Sequence, residues 1–229
     1  MLKPHTKKTL IRIVKKRGEK MSKILGYGED ALTSWALKQH PSKILDKFQD
    51  KTPISECLIF YRPSFGRRSK SNSSVFGEFD AILASRKNIY LIESKWDNLT
   101  KFDKDELMLN DAQTLRHEVF SWYLTHWNKK YYGNWQTFAN EQQNEFKFKN
   151  KTIARNSLLA RNLESVLNKL QEHCPSLSSD NIKNVLLFFH DAKNIPPTKT
   201  NKGFIPIPID YSKEIEGNFI TLLEGNSPK

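Results

Sequence analysis

The pattern of hydrophobic and polar positions is most informative between Val75 and Asp97, where two apolar runs flank a short polar connector. The first run is VFGEFDAILAS, the second is IYLIESKWD, and Arg86, Lys87 and Asn88 lie between them. β-Branched and aromatic residues on both sides of a short polar turn predict a β-hairpin. Because Tyr90 and Ile92 keep the second face of the returning strand apolar, we expect this strand to be buried on both sides.

The rest of the chain shows helical periodicity or short apolar runs. The predicted helices cover residues 5–25, 28–40, 105–127 and 154–173, and the predicted strands cover 54–61 and 182–190. Residues 194–208 contain prolines and lysines, which indicates an extended basic loop before a final short strand or helix. Together these elements predict an α/β fold.

Two of these segments leave alternatives open. The predicted buried stripe of the helix over 105–127 consists of Met108, Ala112, Leu115, Val119 and Trp122. Gln113 and Arg116 lie together on another side of that helix, where they either point toward the charged end of the hairpin or face water. The aromatic and amide side chains of residues 129–150 either pack within the domain or stack on nucleic-acid bases.

The net charge of the chain indicates the type of molecule that it binds. The 229 residues include 37 Lys and Arg against 25 Asp and Glu, so the formal net charge is +12. Such an excess favours a polyanionic partner, with nucleic acid ahead of an anionic membrane surface. No apolar run approaches the roughly 18–20 residues that span a membrane, and the N-terminus lacks a signal-peptide core. We therefore expect a soluble, cytoplasmic protein.

The size of the chain limits the number of domains, and the spacing of its cysteines indicates their chemical state. With 38% hydrophobic residues, the chain can bury one substantial core, so residues 1–229 are expected to form a single domain. Cys57 and Cys174 are far apart and lack Cys-x-x-Cys spacing. This spacing indicates two reduced cysteines and argues against a disulfide framework or a zinc finger.

Three charged residues occupy the hairpin where a buried strand pair normally holds apolar side chains. Glu93 and Lys95 lie two residues apart on one strand face, and folding of the hairpin brings Asp80 close to Glu93. Two neighbouring carboxylates repel each other, so a bound divalent cation is expected between them. Oxygen ligands without His or Cys favour Mg²⁺, for which Mn²⁺ can substitute. Lys95 would orient or deprotonate a water and stabilise charge on a scissile phosphate. The site is therefore predicted to hydrolyse phosphodiesters.

Acid-x-lysine triplets are common in a lysine-rich chain, so context has to select among them. Glu145–Lys147 lacks an apolar strand before it, and Asp191–Lys193 lacks a strand-borne carboxylate upstream. The hairpin triplet, Glu93–Lys95, has both an apolar strand before it and a strand-borne carboxylate upstream. The alternative interpretation is that Glu93 and Lys95 form a simple ion pair at a sheet edge.

These residues resemble the PD-(D/E)XK nuclease superfamily, which includes restriction endonucleases, Holliday junction resolvases and repair nucleases. The element order is similar to that family's α-β-β-β-α-β core, a mixed central sheet flanked by helices, over residues 26–127 and 183–190. The resemblance implies that Asp80 and Glu93 bind the metal, that the backbone carbonyl of Ser94 completes the metal shell, and that Lys95 is the catalytic lysine.

The resemblance extends to the first core helix and departs from the family in one position. Glu29 is similar in position to an acidic residue that many members carry on that helix, and Asp30 competes for the match. The family's proline before the first aspartate is replaced here by Phe79. A basic helix over residues 1–25, a helical insert over 128–182 and a basic C-terminal segment over 191–229 would surround the core.

The expected activity is Mg²⁺-dependent endonucleolytic cleavage of double-stranded DNA. The polar and basic segments outside the core favour a sequence-specific, type II restriction endonuclease acting as a homodimer. A structure-specific repair or recombination nuclease and a non-catalytic DNA-binding protein with the same fold are the alternatives. The residues predicted to contact DNA are Arg67, Arg68, Lys70, Lys199 and Lys202.

Overall fold

The computed structural model describes residues 23–65, 77–97, 105–148, 152–155, 157–217 and 219–223. In chain order the helices and strands are β1 (Ile24–Tyr27), α1 (Gly28–Gln39), α2 (Pro41–Lys47), β2 (Leu58–Tyr61), β3 (Ala81–Ala84), β4 (Ile89–Trp96), β5 (Glu106–Leu107), α3 (Asp111–His126), α4 (Lys129–Tyr132), α5 (Trp135–Glu141), α6 (Leu158–His173), β6 (Ile182–His190), β7 (Lys199–Thr200), β8 (Ile205–Asp210), β9 (Ile215–Glu216) and β10 (Phe219–Leu223).

A mixed five-stranded sheet forms the centre of this α/β fold, with the strand order β2-β3-β4-β6-β8. Strands β2, β3 and β4 are antiparallel neighbours, whereas β4, β6 and β8 run parallel. The predicted hairpin is confirmed: β3 pairs with β4 in a register that places Ala81 opposite Ile92 and Ala84 opposite Ile89. The predicted strand over 182–190 is also confirmed, as β6.

Helices cover both faces of this sheet because the side chains of β3 and β4 alternate between two cores. Ile82 and Leu91 pack into a cluster with residues of α3, α5 and α6. Leu83 and Tyr90 point to the opposite face, into a cluster with α1 and α2. Every residue of β4 except Lys95 is buried, as expected for a strand that is covered on both sides.

The ends of α1 and α3 follow from local sequence. Gly28 has a φ of 78°, a left-handed conformation that suits glycine at the turn from β1 into α1. Asn110 caps α3 in a capping box with Gln113, in which each side chain accepts a hydrogen bond from the other residue's backbone N–H. The Gly28 turn and the Asn110 cap set where the first turns of α1 and α3 lie, beside the end of β4.

Residues 194–208 were predicted to be an extended loop, and this prediction is wrong for residues 199–200 and 205–208, which belong to strands. Ile205–Asp210 forms the fifth sheet strand, parallel to β6, and Lys199–Thr200 pairs with Glu106–Leu107. Pro206 and Pro208 suggested a loop, but β8 lies at a sheet edge, where a strand tolerates proline because the missing N–H can face away from its neighbour.

Two further predicted elements have different bounds. Residues 54–56 form a 3-10 turn, so the second strand begins at Leu58. The helix predicted over 105–127 begins at Asp111, because Glu106 and Leu107 belong to β5. Its predicted stripe is also wrong at its start, since Met108 is 69% exposed and precedes the helix. The side chains that α3 buries are Gln113, Thr114, His117, Val119, Phe120, Tyr123 and Leu124.

The chain ends and the aromatic insert complete the fold. The basic helix predicted over residues 1–25 lies outside the described residues up to residue 22, and Ile24–Tyr27 form a strand that pairs with Phe219–Leu223. Trp135, Phe138 and Phe146 of the aromatic insert are buried in the core with α3 and α6, which confirms that these aromatics pack within the domain. In the described part of the chain, no helix has the length and apolarity needed to cross a membrane.

Candidate active site

The hairpin brings its two carboxylates together at the end of β4. Asp80 immediately precedes β3, and the backbone N–H of Ser94 donates a hydrogen bond of 2.7 Å to Asp80 Oδ2. Glu93 follows Ile92, the partner of Ala81, so it lies beside Asp80 across the two strands. The predicted pairing of Asp80 with Glu93 in space therefore follows directly from the hairpin register.

Lys95 connects this pair to the backbone and to α1. Its ammonium nitrogen lies 2.8 Å from Glu93 Oε1, 2.6 Å from the carbonyl oxygen of Ser94 and 3.8 Å from Glu29 Oε1. The Lys95 side chain is largely buried, with 18% exposed. The structure thus brings Glu29, Asp80, Glu93, Ser94 and Lys95 into one group, which we call the carboxylate cluster.

Glu29 reaches this cluster because hydrogen bonds join α1 to β4 at two positions. Glu29 Oε2 accepts a hydrogen bond of 3.0 Å from the backbone N–H of Trp96. One turn later the Thr33 hydroxyl makes hydrogen bonds of 2.8 Å with both the Glu29 carbonyl and the Ser94 hydroxyl. Asp30 turns away and forms an ion pair with Arg62. Of the two acidic residues that compete for this position, Glu29 is the one in the cluster.

Helix α3 supplies two more side chains from the opposite direction. The Gln113 side-chain amide donates a hydrogen bond to Glu93 Oε1, and Arg116 Nη2 lies 3.9 Å from Glu93 Oε2. Arg116 also donates to the carbonyl oxygen of Glu78. Both side chains therefore point toward the hairpin rather than into water. Sequence reasoning left their direction open and did not name them as site residues; the signal was the i, i+3 polar pair on the helix after the hairpin.

Burial sets the electrostatics of the cluster. Glu93 is 3% exposed, and its Oε2 atom has no hydrogen-bond partner among the described residues, although Arg116 lies near it. Burial, reinforced by the Glu93 carboxylate, raises the pKa of Asp80 despite the hydrogen bond from Ser94. Burial also raises the pKa of Glu29, against the attraction of Lys95. Asp80 and Glu29 therefore lie in an environment that disfavours their negative charge and favours an added cation.

The surroundings of Lys95 favour the charged form of its side chain. Burial alone would lower the pKa of the Lys95 ammonium, but the neighbouring Glu93 and Glu29 carboxylates outweigh burial and raise it. Lys95 is therefore protonated at neutral pH and supplies one positive charge to the cluster.

The donor atoms of the cluster match the preferences of Mg²⁺. In the described part of the chain, no three His, Cys, Asp or Glu side chains form a group that could hold a metal ion as they stand. Asp80, Glu93 and the Ser94 carbonyl nevertheless offer oxygen donors alone, the type that Mg²⁺ selects. Two of these oxygens already contact a cation, the Lys95 ammonium, and the buried Oε2 of Glu93 lacks a hydrogen bond. The donor chemistry of these residues is therefore of the type that suits a divalent ion.

His117 lies one turn after Gln113 and is fully buried. Its Nδ1 is 2.9 Å from Asn184 Oδ1, and its ring packs between Phe79 and Phe204. Burial lowers the pKa of His117 to about 4, so the imidazole is neutral at physiological pH. It serves as a packing residue between α3 and the sheet.

The residues predicted to contact DNA are placed outside the cluster or outside the described residues. Arg67, Arg68 and Lys70 belong to the part of the chain that the structure does not describe. Lys199 lies 3.5 Å from Asp105, and Lys202 forms an ion pair with Asp111. Both lysines are exposed, but each is compensated by a nearby carboxylate.

The two rejected triplets do not build a comparable site. Lys147 and Glu145 form a solvent-exposed ion pair of 3.9 Å. Asp191 follows the end of β6, and its backbone N–H donates to Asp97, while Lys193 is exposed in the next turn. The hairpin triplet differs from both because its acid is buried beside a second carboxylate.

No protein-family model, curated protein or solved structure matches this chain. Its function therefore has to be argued from the carboxylate cluster itself.

Proposed function

We propose that this protein is a Mg²⁺-dependent deoxyribonuclease that cleaves phosphodiester bonds within DNA. The observation that carries the proposal is the position of Lys95, whose ammonium contacts Glu93 and Ser94 at the point where Asp80 and Glu29 also converge. Burial of several carboxylates around a lysine costs folding free energy, and groups with pKa values shifted in this way are concentrated at functional sites.

The order of elements supports a place in the PD-(D/E)XK superfamily. Helix α1, the antiparallel strands β2 to β4, helix α3 and the parallel strand β6 follow one another as in that family's core, with insertions. By this resemblance, Asp80 before β3 and Glu93 and Lys95 on β4 would correspond to the family's acids and lysine.

Each residue of the cluster would have its own role in phosphodiester hydrolysis. Asp80, Glu93 and the Ser94 carbonyl would hold Mg²⁺, which contributes Lewis-acid polarisation of the phosphate when bound. Lys95, held protonated by its acidic neighbours, would stabilise the charge that develops on the scissile phosphate. Gln113 would hold the Glu93 carboxylate in one orientation.

DNA is the proposed substrate because the chain carries a formal net charge of +12. A sequence-specific restriction enzyme that cuts duplex DNA as a homodimer is the form predicted from the basic segments outside the core. A structure-specific repair or recombination nuclease is the alternative form.

Plasmid cleavage tests the activity. Purified protein is incubated with supercoiled plasmid and Mg²⁺, with EDTA and the Asp80→Ala variant as controls. The proposal requires cleavage that both controls abolish. Discrete fragments would identify a restriction enzyme, and selective cutting of branched or flapped substrates would identify a structure-specific nuclease. Absence of metal-dependent cleavage on every substrate would leave the non-catalytic DNA-binding alternative. Light scattering in solution tests the predicted homodimer.

A further inference from the structure

Two arginine side chains bind Glu78, which precedes Asp80 by two residues. Arg62 Nε donates a hydrogen bond to Glu78 Oε1, and Arg116 Nη1 donates to the backbone carbonyl oxygen of Glu78. Arg62 directly follows β2, whereas Arg116 lies on α3. We call Arg62 and Arg116 the arginine pair, because they reach one residue from two different elements of the fold.

Backbone hydrogen bonds orient Glu78 between β2 and β4. The N–H of Phe79 donates to the carbonyl oxygen of Pro63 at 3.2 Å. The N–H of Phe65 donates to the carbonyl oxygen of Gly77 at 3.0 Å. In antiparallel pairing, the residue between two such bonds directs its own N–H and carbonyl away from the paired segment. The Glu78 carbonyl therefore points toward the side on which β4 lies.

On that side, Arg116 takes the place of a strand partner. The pairing of β3 with β4 ends at Ala81 and Ile92, before Glu78 is reached. Beyond this point, the carbonyl oxygen of Glu78 accepts a hydrogen bond from the Arg116 guanidinium. The path of the chain into Asp80 is therefore set by a side chain of α3 as well as by the sheet.

Arg116 connects this segment to the second carboxylate of the hairpin. Its Nη2 lies 3.9 Å from Glu93 Oε2, and its guanidinium carbon lies 5.8 Å from the centre of the Phe79 ring. The Arg116 side chain is 17% exposed, so these contacts are largely shielded from water. One cation thus contacts both Glu93 and the residues that lead into Asp80.

Arg62 connects the same segment to α1. It donates to Asp30 Oδ2 as well as to Glu78, and Asp30 directly follows Glu29, the acid that α1 contributes to the carboxylate cluster. The neighbouring Tyr61 hydroxyl donates to the Asp30 carbonyl oxygen at 2.7 Å. Arg62 has a φ of 49°, a left-handed conformation that few residues other than glycine, asparagine and aspartate adopt. Such a conformation persists where surrounding contacts determine it, and the two carboxylates bound by Arg62 provide those contacts.

We propose that the arginine pair positions the Asp80 carboxylate relative to the other acids of the carboxylate cluster. The pair holds Glu78 from two sides, and each arginine also contacts the element that carries another of those acids. A guanidinium can bond two acceptors at once through its planar fork, whereas the ammonium of lysine is a single point charge. The proposal rests on the proposed function only for its consequence, a site that is preorganised for a metal ion. The positioning itself is a property of the protein without metal.

Amide hydrogen exchange in EDTA tests the positioning without any need for cleavage. The Ser94 N–H donates to Asp80 Oδ2, so its exchange rate reports whether this carboxylate keeps its place. Arg62→Lys and Arg116→Lys retain the positive charge and remove the guanidinium fork. Each is expected to accelerate Ser94 exchange about tenfold or more, the effect of losing a hydrogen bond to a charged group. Exchange is followed by NMR on the whole, ¹⁵N-labelled chain.

A second amide and a control variant separate positioning from a general loss of stability. Leu91 lies in the middle of β4, and its amide exchanges when the sheet opens, so its exchange rate measures general stability in every variant. The acceleration at Ser94 should exceed any acceleration at Leu91 by about tenfold. Arg86→Lys changes an exposed arginine in the turn of the hairpin, whose Nε lies 3.7 Å from Glu56, and should exchange like wild type at both amides.

Wild-type exchange at Ser94 in both lysine variants would overturn the proposal, and so would equal acceleration at Ser94 and Leu91. Plasmid cleavage by the lysine variants should be about tenfold or more slower than by wild type, because groups that orient metal ligands typically affect activity on this scale. Normal cleavage by a variant whose Ser94 amide exchanges rapidly would overturn the role of the arginine pair in the reaction. The exchange measurements contain neither metal nor DNA, so a wild-type protein that fails to cleave would count against the nuclease alone.

Discussion

The ammonium group of Lys95 lies 2.6 Å from the backbone carbonyl oxygen of Ser94. The same ammonium lies 2.8 Å from Glu93 Oε1. These two oxygens are among the ligands expected for Mg²⁺, so the lysine occupies part of the space in which a metal ion would bind. A metal ion bound as proposed would therefore compete with the lysine for these oxygens, although the proposed reaction needs both.

Removal of the lysine should separate metal binding from catalysis. In Lys95→Met the competing cation is gone, so we expect Mn²⁺ to bind at least as tightly as in wild type, measured by electron paramagnetic resonance. Plasmid cleavage should fall by roughly 100-fold or more, because a positive group at the reacting phosphate is lost. Lys87→Met, in the turn at the other end of the hairpin, is the matched control and should retain wild-type cleavage. A Lys95→Met protein that cleaves normally would contradict the role of this residue.

Neutralising Asp80 should change the effect of Mg²⁺ on the melting temperature of the protein. Asp80→Asn removes the repulsion between two buried carboxylates while its amide oxygen can still accept the Ser94 hydrogen bond. In EDTA we therefore expect a melting temperature equal to or above that of wild type. Mg²⁺ should raise the wild-type melting temperature, by an amount that corresponds to about 2.7 kcal/mol at 100 times its dissociation constant.

The same Mg²⁺ titration should leave the Asp80→Asn melting temperature unchanged, because the ion has lost a ligand. Glu172→Gln alters an exposed carboxylate on α6 and should behave like wild type in both conditions. Differential scanning fluorimetry measures all three proteins, and an equal Mg²⁺ response in Asp80→Asn would argue against a metal at this position.

Gln113 links the capping of α3 to the orientation of Glu93, and two variants distinguish these roles. Asn110→Ala breaks the capping box and should cost about 1 kcal/mol of stability, with little effect on cleavage per folded molecule. Gln113→Ala breaks the cap and also removes the donor to Glu93, so metal affinity should fall by about tenfold or more. Chemical denaturation gives the stability, and the Mg²⁺ dependence of cleavage gives the metal affinity. Equal Mg²⁺ dependence in both variants would show that Gln113 acts only as a cap.

A second buried carboxylate predicts the acid sensitivity of the fold. Asp50 is 5% exposed and accepts hydrogen bonds from Ser85 at 2.6 Å, Asn88 at 2.9 Å and Tyr90 at 2.8 Å. Burial alone would raise the pKa of Asp50, but the hydrogen bonds from Ser85, Asn88 and Thr52 together lower it below 3.8. A lowered folded-state pKa stabilises the fold above about pH 4, and this stabilisation is lost as the pH falls further.

Asp50→Ala should therefore lower the free energy of unfolding by about 2–4 kcal/mol at pH 7, since several buried donors lose their acceptor. Its stability should also fall less steeply than that of wild type as the pH drops below 4. Asp46→Ala, an exposed position on α2, should match wild type in both respects. Urea denaturation over a pH series provides the comparison, and wild-type stability of Asp50→Ala at pH 7 would refute this account.

Local patterns were sufficient for the hairpin and for the pairing of its acids. Side chains along Ile89–Trp96 point to alternate faces of the sheet, so neighbouring residues alone indicate which of them share a face. A short turn sets the register that places Asp80 beside Glu93. The same patterns failed for Ile205–Asp210, because proline within a short apolar run indicates a loop unless the strand is known to lie at a sheet edge.

Helix α3 shows why periodicity could not choose the buried face. Leu115 and Trp122 lie on one side, and Phe120 and Leu124 on another, so apolar residues surround much of the helix. Packing against the sheet and α6 decided that Phe120 and Leu124 are fully enclosed, whereas Leu115 and Trp122 are only partly buried. The same choice turned Gln113 toward Glu93.

The sequence by itself determined the α/β character, the hairpin and the presence of two acids and a lysine at its end, because spacing along a strand dictates which side chains share a face. Tertiary structure decided which distant residues join them. Glu29 rather than Asp30 reaches Lys95 because hydrogen bonds from Thr33 to Ser94 and from Trp96 to Glu29 set the rotation of α1. Such contacts depend on how helices and strands pack across the whole domain, and no local pattern of residues specifies them.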